Sequence, residues 1–319
     1  MQRTLITGGA GFIGSNLVEK LLKKGNQVVV LDNLSTGRRS NLEPFAERIE
    51  FIVGDILDTN SLSRAMEGVS TVYHLGAEVG VDRVMKKSEK QILKIDLEGT
   101  RRVLDLSVRK GVKTFLFASS SEVYGKVDQK KLPISEDRHF TPDTTYGKAK
   151  LLAELLGKDY SRKNGMSVVS IRFFNVYGPG QSLNGYCVPN FINAALTSQD
   201  LRIHGDGTQT RDLTYVDDAV KLMISVCDRK FDQQAFNIGT GNSISMNDLA
   251  AKVIRLTGSQ SKIKHVKKRR PTDSYHKCGD PRKIRQATGA RTEFSLDEGL
   301  KKCIEAKKII LKKNKGKHR

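Results

Sequence analysis

The run Thr4-Leu5-Ile6-Thr7 passes into Gly8-Gly9-Ala10-Gly11-Phe12-Ile13-Gly14 and then into Ser15-Asn16-Leu17-Val18-Glu19. An apolar run that stops at a glycine turn and resumes with helical periodicity constrains this chain more than any other feature. Glycine is needed because the backbone must turn tightly, bring N–H groups up to a pyrophosphate, and let the helix pack closely on the strand. The next apolar run, Gln27–Leu31, ends at Asp32, 18 residues beyond Gly14. A dinucleotide fold places there the acid that hydrogen-bonds an adenosine ribose. A carboxylate favours the free hydroxyls of NAD and repels the 2′-phosphate of NADP, so NAD is the expected cofactor. Arg38 and Arg39 are the nearby residues that oppose this choice.

Short apolar runs alternate with amphipathic stretches through the first half of the chain. Strands are expected at Thr4–Thr7, Gln27–Leu31, Glu50–Val53, Thr71–Leu75, Lys113–Ala118 and Ser167–Ile171, and helices at Phe12–Lys24, Ser61–Met66, Lys90–Arg109 and Thr145–Lys163. Consecutive Val, Ile, Leu and Phe fit strands buried on both faces, which implies an α/β fold with a doubly wound parallel sheet of six or seven strands. After about Asn175 the texture changes to Gly- and Pro-bearing loops with helices expected at Pro189–Leu196, Val216–Cys227, Met246–Thr257 and Leu296–Ala306. The expected organisation is a Rossmann-type unit over 1–175, completed by part of 205–240, a smaller C-terminal α/β lobe interleaved with it over 176–306, and a basic tail at 307–319.

The chain has 55 Lys and Arg against 35 Asp and Glu, for a net charge of +20. The 58 residues from Lys262 to Arg319 supply +14 of it. That stretch lacks the interleaved aromatics of single-strand binding, so nucleic acid is disfavoured as a partner and Lys307–Arg319 reads as a solvated, partly disordered tail. Cys187, Cys227, Cys278 and Cys303 have no metal-ligand or redox spacing and read as unpaired thiols, with no metal site expected. No run approaches a membrane span, and the expected location is cytoplasmic.

Tyr146 and Lys150 lie four residues apart at the start of a helical pattern and share a face. An ammonium beside a phenol lowers the phenol's pKa toward usable base strength. The run Lys113–Ala118 ends in Ser119-Ser120-Ser121-Glu122-Val123-Tyr124-Gly125. Those hydroxyls and that carboxylate belong at the carboxyl edge of the sheet, where open α/β folds bind ligands.

With these motifs in this order, the chain resembles the extended short-chain dehydrogenase/reductase superfamily. Within it, it is similar to the NAD-dependent nucleotide-sugar epimerases and dehydratases of UDP-glucose 4-epimerase type, over roughly Thr4 to Ile304. The matching stretches include TGGAGFIGSNL, VLDNLSTG, GDILD, HLGA, ASSSEVYG, YGKAKLLAE, RFFNVYGPGQ, GDGTQTRDLTYVDD, FNIGTG and RRPTD. The resemblance implies that Tyr146 is the catalytic base, Lys150 its partner that also holds the nicotinamide ribose, and Ser120 the hydroxyl that holds the reacting sugar oxygen. It implies cofactor contacts at Gly8, Gly11, Phe12, Ile13, Gly14, Asp32, Asn33, Asp55, Ile56, Leu75, Gly76 and Ala77, besides Tyr146 and Lys150. Substrate contacts are implied at Ser121, Asn175, Val188, Ile203, Arg211 and Arg270, where guanidinium forks suit phosphate oxygens. It further implies a nucleotide-diphosphate sugar, UDP-linked, as substrate and a homodimer formed by the helices carrying Tyr146 and Lys90–Arg109.

The same resemblance ranks the reactions. Dehydratases place an Asp-Glu pair where Ser121 and Glu122 stand, so a standard 4,6-elimination is disfavoured, and a variant using Glu122 as base is an alternative. UDP-glucuronate decarboxylases carry an arginine near the position of Asp280, and an aspartate would repel the substrate carboxylate. The favoured expectation is therefore a 4-epimerase acting through a transient 4-keto sugar, with Glu122 in a hydrogen-bonding role. Lys277 falls where epimerases size the sugar pocket and is expected to point to solvent. Asp96 stands where the family often has Asn. The rival of another class is a non-catalytic NAD-fold protein that binds RNA or regulates, against which Ser120, Tyr146 and Lys150 count together.

Overall fold

The computed structural model describes residues 2–183, 185–229, 231–268 and 275–316. Its strands are β1 (Arg3–Thr7), β2 (Gln27–Asp32), β3 (Ile49–Val53), β4 (Thr71–His74), β5 (Thr114–Ser120), β6 (Ser167–Phe173), β7 (Asn175–Tyr177), β8 (Leu201–His204), β9 (Thr210–Tyr215), β10 (Ala235–Ile238), β11 (Ser243–Ser245) and β12 (Ile263–Val266). Its helices are α1 (Phe12–Lys23), α2 (Thr59–Ala65), α3 (Val81–Val84), α4 (Glu89–Leu93), α5 (Thr100–Arg109), α6 (Thr145–Asn164), α7 (Cys187–Leu196), α8 (Val216–Asp228), α9 (Met246–Thr257), α10 (Arg282–Thr288) and α11 (Leu296–Gly316).

Seven parallel strands form one sheet in the order β10-β6-β5-β4-β1-β2-β3. Alternation along the strands sends Leu5, Val29 and Leu31 into a core under α2, α5 and α6, and Ile6, Val28 and Val30 into the core under α1 and α8. Both faces are buried, so the strands read as unbroken apolar runs. From β1 the chain winds outward through β2 and β3, then returns to add β4 on the other side of β1. That reversal opens a crevice at the carboxyl ends of β1 and β4.

The second half builds a three-stranded sheet, β11-β9-β7, and a parallel pair, β12-β8. Between them the chain returns to the first layer, where α8 packs on α1 and β10 pairs with β6. The six strands expected in the first half form within one or two residues of their positions, and β10 is the seventh. The sequence reading missed β7 to β12, because strands of three to six residues carry too little periodicity to register alone.

Two expected helices change on folding. Lys90–Arg109 is not one regular helix: between α4 and α5 the residues Lys94–Gly99 take a wider turn of π-helical type. The expected helix Leu296–Ala306 runs on to Gly316, so the basic tail is helical through that residue rather than disordered. Its Leu300, Cys303 and Ile304 anchor it to the core, and the lysine-rich extension continues from that anchored start. Among the described residues the four cysteines form no disulfide, as expected. Among the same residues no helix is long and apolar enough to cross a membrane.

Candidate functional site

A cavity of about 750 Å³ opens at the carboxyl edge of the sheet and reaches into the second lobe. All twelve residues expected to contact only the cofactor line it, from Gly8 to Ala77. Gly8 has φ of +73°, and a Cβ there would lie 2.9 Å from the Gly76 nitrogen. A Cβ on Gly14 would lie 2.3 Å from the Gly8 carbonyl oxygen. The bare backbone is thus required both for the turn and for the start of α1.

Asp32, at the end of β2, accepts hydrogen bonds from the Ala10 N–H at 3.0 Å and the Leu34 N–H at 2.8 Å. Burial pushes its carboxyl pKa up, and these two N–H groups pull against that. An ionised carboxylate has about four acceptor sites, so the two backbone bonds orient it and leave capacity for ribose hydroxyls. Asn33 donates to Asp55 at 2.7 Å, which ties the segments that follow the neighbouring strands β2 and β3. Arg39 lies over the Phe51 ring at 5.0 Å, and neither Arg38 nor Arg39 lines the cavity. A glycine cradle, an oriented acid and, among the described residues, no guanidinium at this end of the cavity wall fit NAD.

At the other end stand Ser120, Ser121, Glu122, Tyr146 and Lys150. Ser120 ends β5 and caps a short turn, its hydroxyl accepting from the Glu122 N–H at 3.2 Å. Thr144 caps α6 by accepting from the Gly147 N–H, which places Tyr146 in the first turn and Lys150 one turn on. The Ser120 hydroxyl favours the ionised form of the Tyr146 phenol, and the Lys150 ammonium lies 5.5 Å from the Tyr146 ring centre.

The expectation of a lowered phenol pKa is not met by the chain alone. Burial holds Tyr146 well above the usual phenol range, with Asp96, Tyr186 and Glu122 adding to it and Ser120 opposing. The Lys150 charge is shared with Asp96, 3.3 Å away, and cannot offset that desolvation.

Lys277 corrects a second expectation. It does not face solvent: it is buried in the cavity wall, with its ammonium 2.5 Å from the Glu122 carboxylate. Asp280 does not face the cavity either. It is buried, pairs with Arg282 at 2.6 Å and lines a separate pocket. The register is the cause, since the chain reaches the site at Lys277 and turns away through Cys278 and Gly279.

Asn175, Val188, Ile203 and Arg211 all line the cavity. Asn175 donates to the Asp212 carbonyl, and Arg211 donates to the carbonyls of Thr210 and Tyr275. Arg270, with the rest of RRPTD, falls at 269–273, outside the described residues. Sequence reasoning missed Glu78 and Tyr186, which also line the cavity. Glu78 directly follows HLGA, and that adjacency was the available signal; Tyr186 carries none.

The model of the NAD dependent epimerase/dehydratase family matches residues 4–239. The chain is 37% identical over 321 residues to a UDP-N-acetyl-alpha-D-glucosaminuronate decarboxylase of Bacillus cytotoxicus, covering 95% of this chain and 97% of that protein. It is similar in structure to the UDP-glucose 4-epimerase of Thermotoga maritima solved with UDP-glucose, at a TM-score of 0.92 and 32% identity over 97% of this chain and 100% of that one. It is similar also to the UDP-glucuronic acid 4-epimerase of Bacillus cereus in complex with UDP-glucuronic acid and NAD, at a TM-score of 0.90 and 29% identity over 97% and 100% of the two chains.

Proposed function

Because the chain belongs to the NAD-dependent epimerase/dehydratase family, with NAD as cofactor and nucleotide-sugar epimerases, dehydratases and decarboxylases as its relatives, we propose that it acts on an acidic UDP-sugar, a hexuronate, and removes the carboxyl group as CO2. The observation that carries this reading is Lys277, an ammonium buried in the cavity wall and set in place by Glu122. A buried cation at the sugar end favours a substrate anion, because each carboxylate that reaches it helps to offset the desolvation its burial costs. The ground for disfavouring decarboxylation, an aspartate facing the substrate carboxylate, is absent, since Asp280 does not line the cavity.

Bound NAD supplies the hydride acceptor and later the donor for the sugar C4. Tyr146 takes the proton of the 4-hydroxyl while Ser120 hydrogen-bonds the same oxygen. The resulting 4-ketone makes the uronate a β-keto acid. Lys277 orients its carboxylate, the C5–C6 bond electrons pass into the C4 carbonyl as CO2 leaves, and Ser120 and Tyr146 hold the enolate oxygen. The Lys277 ammonium, held by Glu122, delivers a new proton to C5 in place of the lost carboxyl group and is reprotonated from solvent, and Tyr146 gives its proton back to the C4 oxygen as the ketone is reduced. Ser121, buried where an eliminating enzyme would need an acid, has only a hydroxyl, which argues against 4,6-elimination.

The second reading is 4-epimerisation of the same acidic sugar, favoured by the likeness to a UDP-glucuronic acid 4-epimerase. Both need Tyr146, and they part at the carboxyl group. Incubation with UDP-glucuronate, UDP-N-acetylglucosaminuronate, UDP-glucose and UDP-N-acetylglucosamine, read by NMR, separates them. Loss of C6 with release of CO2, abolished in Tyr146→Phe, supports decarboxylation. A C4 epimer that keeps its carboxyl supports the second reading, and turnover of neutral sugars alone overturns both. The homodimer belongs to the same proposal, supported by the exposed Leu152 and Leu155 on α6 and Leu93 on α4.

A further inference from the structure

Asp96 sits in the middle of the wide turn Lys94–Gly99 and is fully buried. It does not line the cavity, whereas Tyr146 and Lys150 do. The Lys150 ammonium lies 3.3 Å from its Oδ1, and neither carboxylate oxygen has a well-formed hydrogen bond among the described residues. A buried carboxylate this poorly bonded costs several kcal/mol, so a fold that keeps one gains from its charge or its position. The wide turn is fixed by a buried relay: Thr100 donates to the Asp96 carbonyl at 2.7 Å and meets His74 Nε2 at 3.0 Å, and His74 Nδ1 meets Thr7 at 2.7 Å. A π-type turn inside a helix commonly re-aims a side chain at a functional site, and here the re-aimed side chain is Asp96.

We propose that Asp96 is a positioning residue for the Tyr146–Lys150 pair, anchoring the Lys150 ammonium from behind and offsetting the positive charge that Lys150 presents to Tyr146. The Asp96 carboxylate lies 3.3 Å from the Lys150 ammonium, which in turn lies 5.5 Å from the Tyr146 ring centre, so a negative charge stands beside the positive one and offsets much of what the ring experiences. Among the described residues, the other groups facing this cluster are few. Glu78 lies against Asp96 but is itself paired with Arg83 and Lys87. His74 is held neutral by burial and by Lys150. Glu122 and Tyr186 also hold the Tyr146 pKa up, and Glu122 is paired with Lys277. Asp96 is therefore the carboxylate bonded to Lys150 itself, and its removal frees that charge for the phenol.

This inference rests on Tyr146 and Lys150 being the working pair, and its test needs no sugar. The near-ultraviolet phenolate band of Tyr146 is isolated by subtracting the spectrum of the matching Tyr146→Phe protein through a pH titration. In Asp96→Asn, which keeps the shape and an acceptor for Lys150, the band is expected to appear on the order of one pH unit lower than in the unaltered chain. Asp96→Ser serves the same purpose if the Asn variant does not fold, and Asp96→Glu is expected to titrate like the parent. An unchanged or upward-shifted band in a folded, neutral variant overturns the proposal. If no sugar is turned over, the proposed reaction fails while this titration still decides the role of Asp96.

Discussion

Glu122 and Lys277, 155 residues apart in the chain, meet at 2.5 Å as an ion pair in the wall of the cavity. Glu122 follows the end of β5, and Lys277 comes from the loop ahead of α10, so the pair bridges the nucleotide-binding sheet and the second lobe.

Lys277→Met is expected to lower kcat/KM on an acidic sugar by roughly 10- to 100-fold, the effect of losing a charge-assisted hydrogen bond of about 1.5–3 kcal/mol. Lys277→Arg, which keeps the cation, is expected to retain most of the activity. Asp280→Asn is expected to leave kcat/KM near the parent value. Steady-state kinetics on the three variants check this, and equal losses in Lys277→Met and Asp280→Asn would refute it.

Gly14→Ala is expected to abolish tight NAD binding and to cost about 1–3 kcal/mol of stability, because its Cβ would lie 2.3 Å from a backbone oxygen that cannot move aside. A Cβ added at Gly25 would meet no atom within 4 Å. Gly25→Ala is expected to leave NAD affinity alone while its positive φ still costs some stability. NAD titration by calorimetry, alongside thermal melts, distinguishes the two.

Complete burial pushes the His74 imidazole down to about 3. In the unfolded chain it protonates near 6.5, so below that pH the unfolded state binds the extra proton. The stability His74 contributes is present above 6.5 and is lost as pH falls toward 3, at up to about 1.4 kcal/mol per pH unit. Urea unfolding at pH 7.5 and pH 5 should show a smaller loss in His74→Asn than in the parent. Equal losses would show that the carboxylates alone govern acid sensitivity.

Leu152 and Leu155 are 46% and 51% exposed on α6, a helix whose other side is packed on the sheet. If that face joins two copies, Leu152→Glu with Leu155→Glu yields a monomer with an unchanged melting temperature at low protein concentration. Sedimentation equilibrium reads this directly, and a parent protein that is already monomeric refutes it.

Much of this architecture is legible along the chain because it rests on local chemistry. The glycine turn Gly8–Gly14, the acid at Asp32 and the four-residue step from Tyr146 to Lys150 are all short-range patterns, and each finds its element. Consecutive apolar residues in Val28–Leu31 and Phe115–Phe117 already announce strands with two buried faces. The short strands of the second lobe escape because β8 and β12 gain their identity from each other, some 60 residues apart. The solvent position expected for Lys277 fails for a related reason: charge along a segment says nothing of which side chain turns inward when its partner lies in another element.

The sequence alone determined the fold class, the cofactor and the four-residue step from Tyr146 to Lys150, because turn, period and spacing are properties of neighbouring residues; Ser120 entered only through the family resemblance. Tertiary structure alone decided that Lys277 and not Asp280 lines the cavity, that Glu122 is its counter-ion, and that Asp96 stands behind Lys150. Those contacts join residues tens to more than a hundred positions apart. They exist only once the parallel sheet has brought its strand ends to one edge and burial has made each unpaired charge costly.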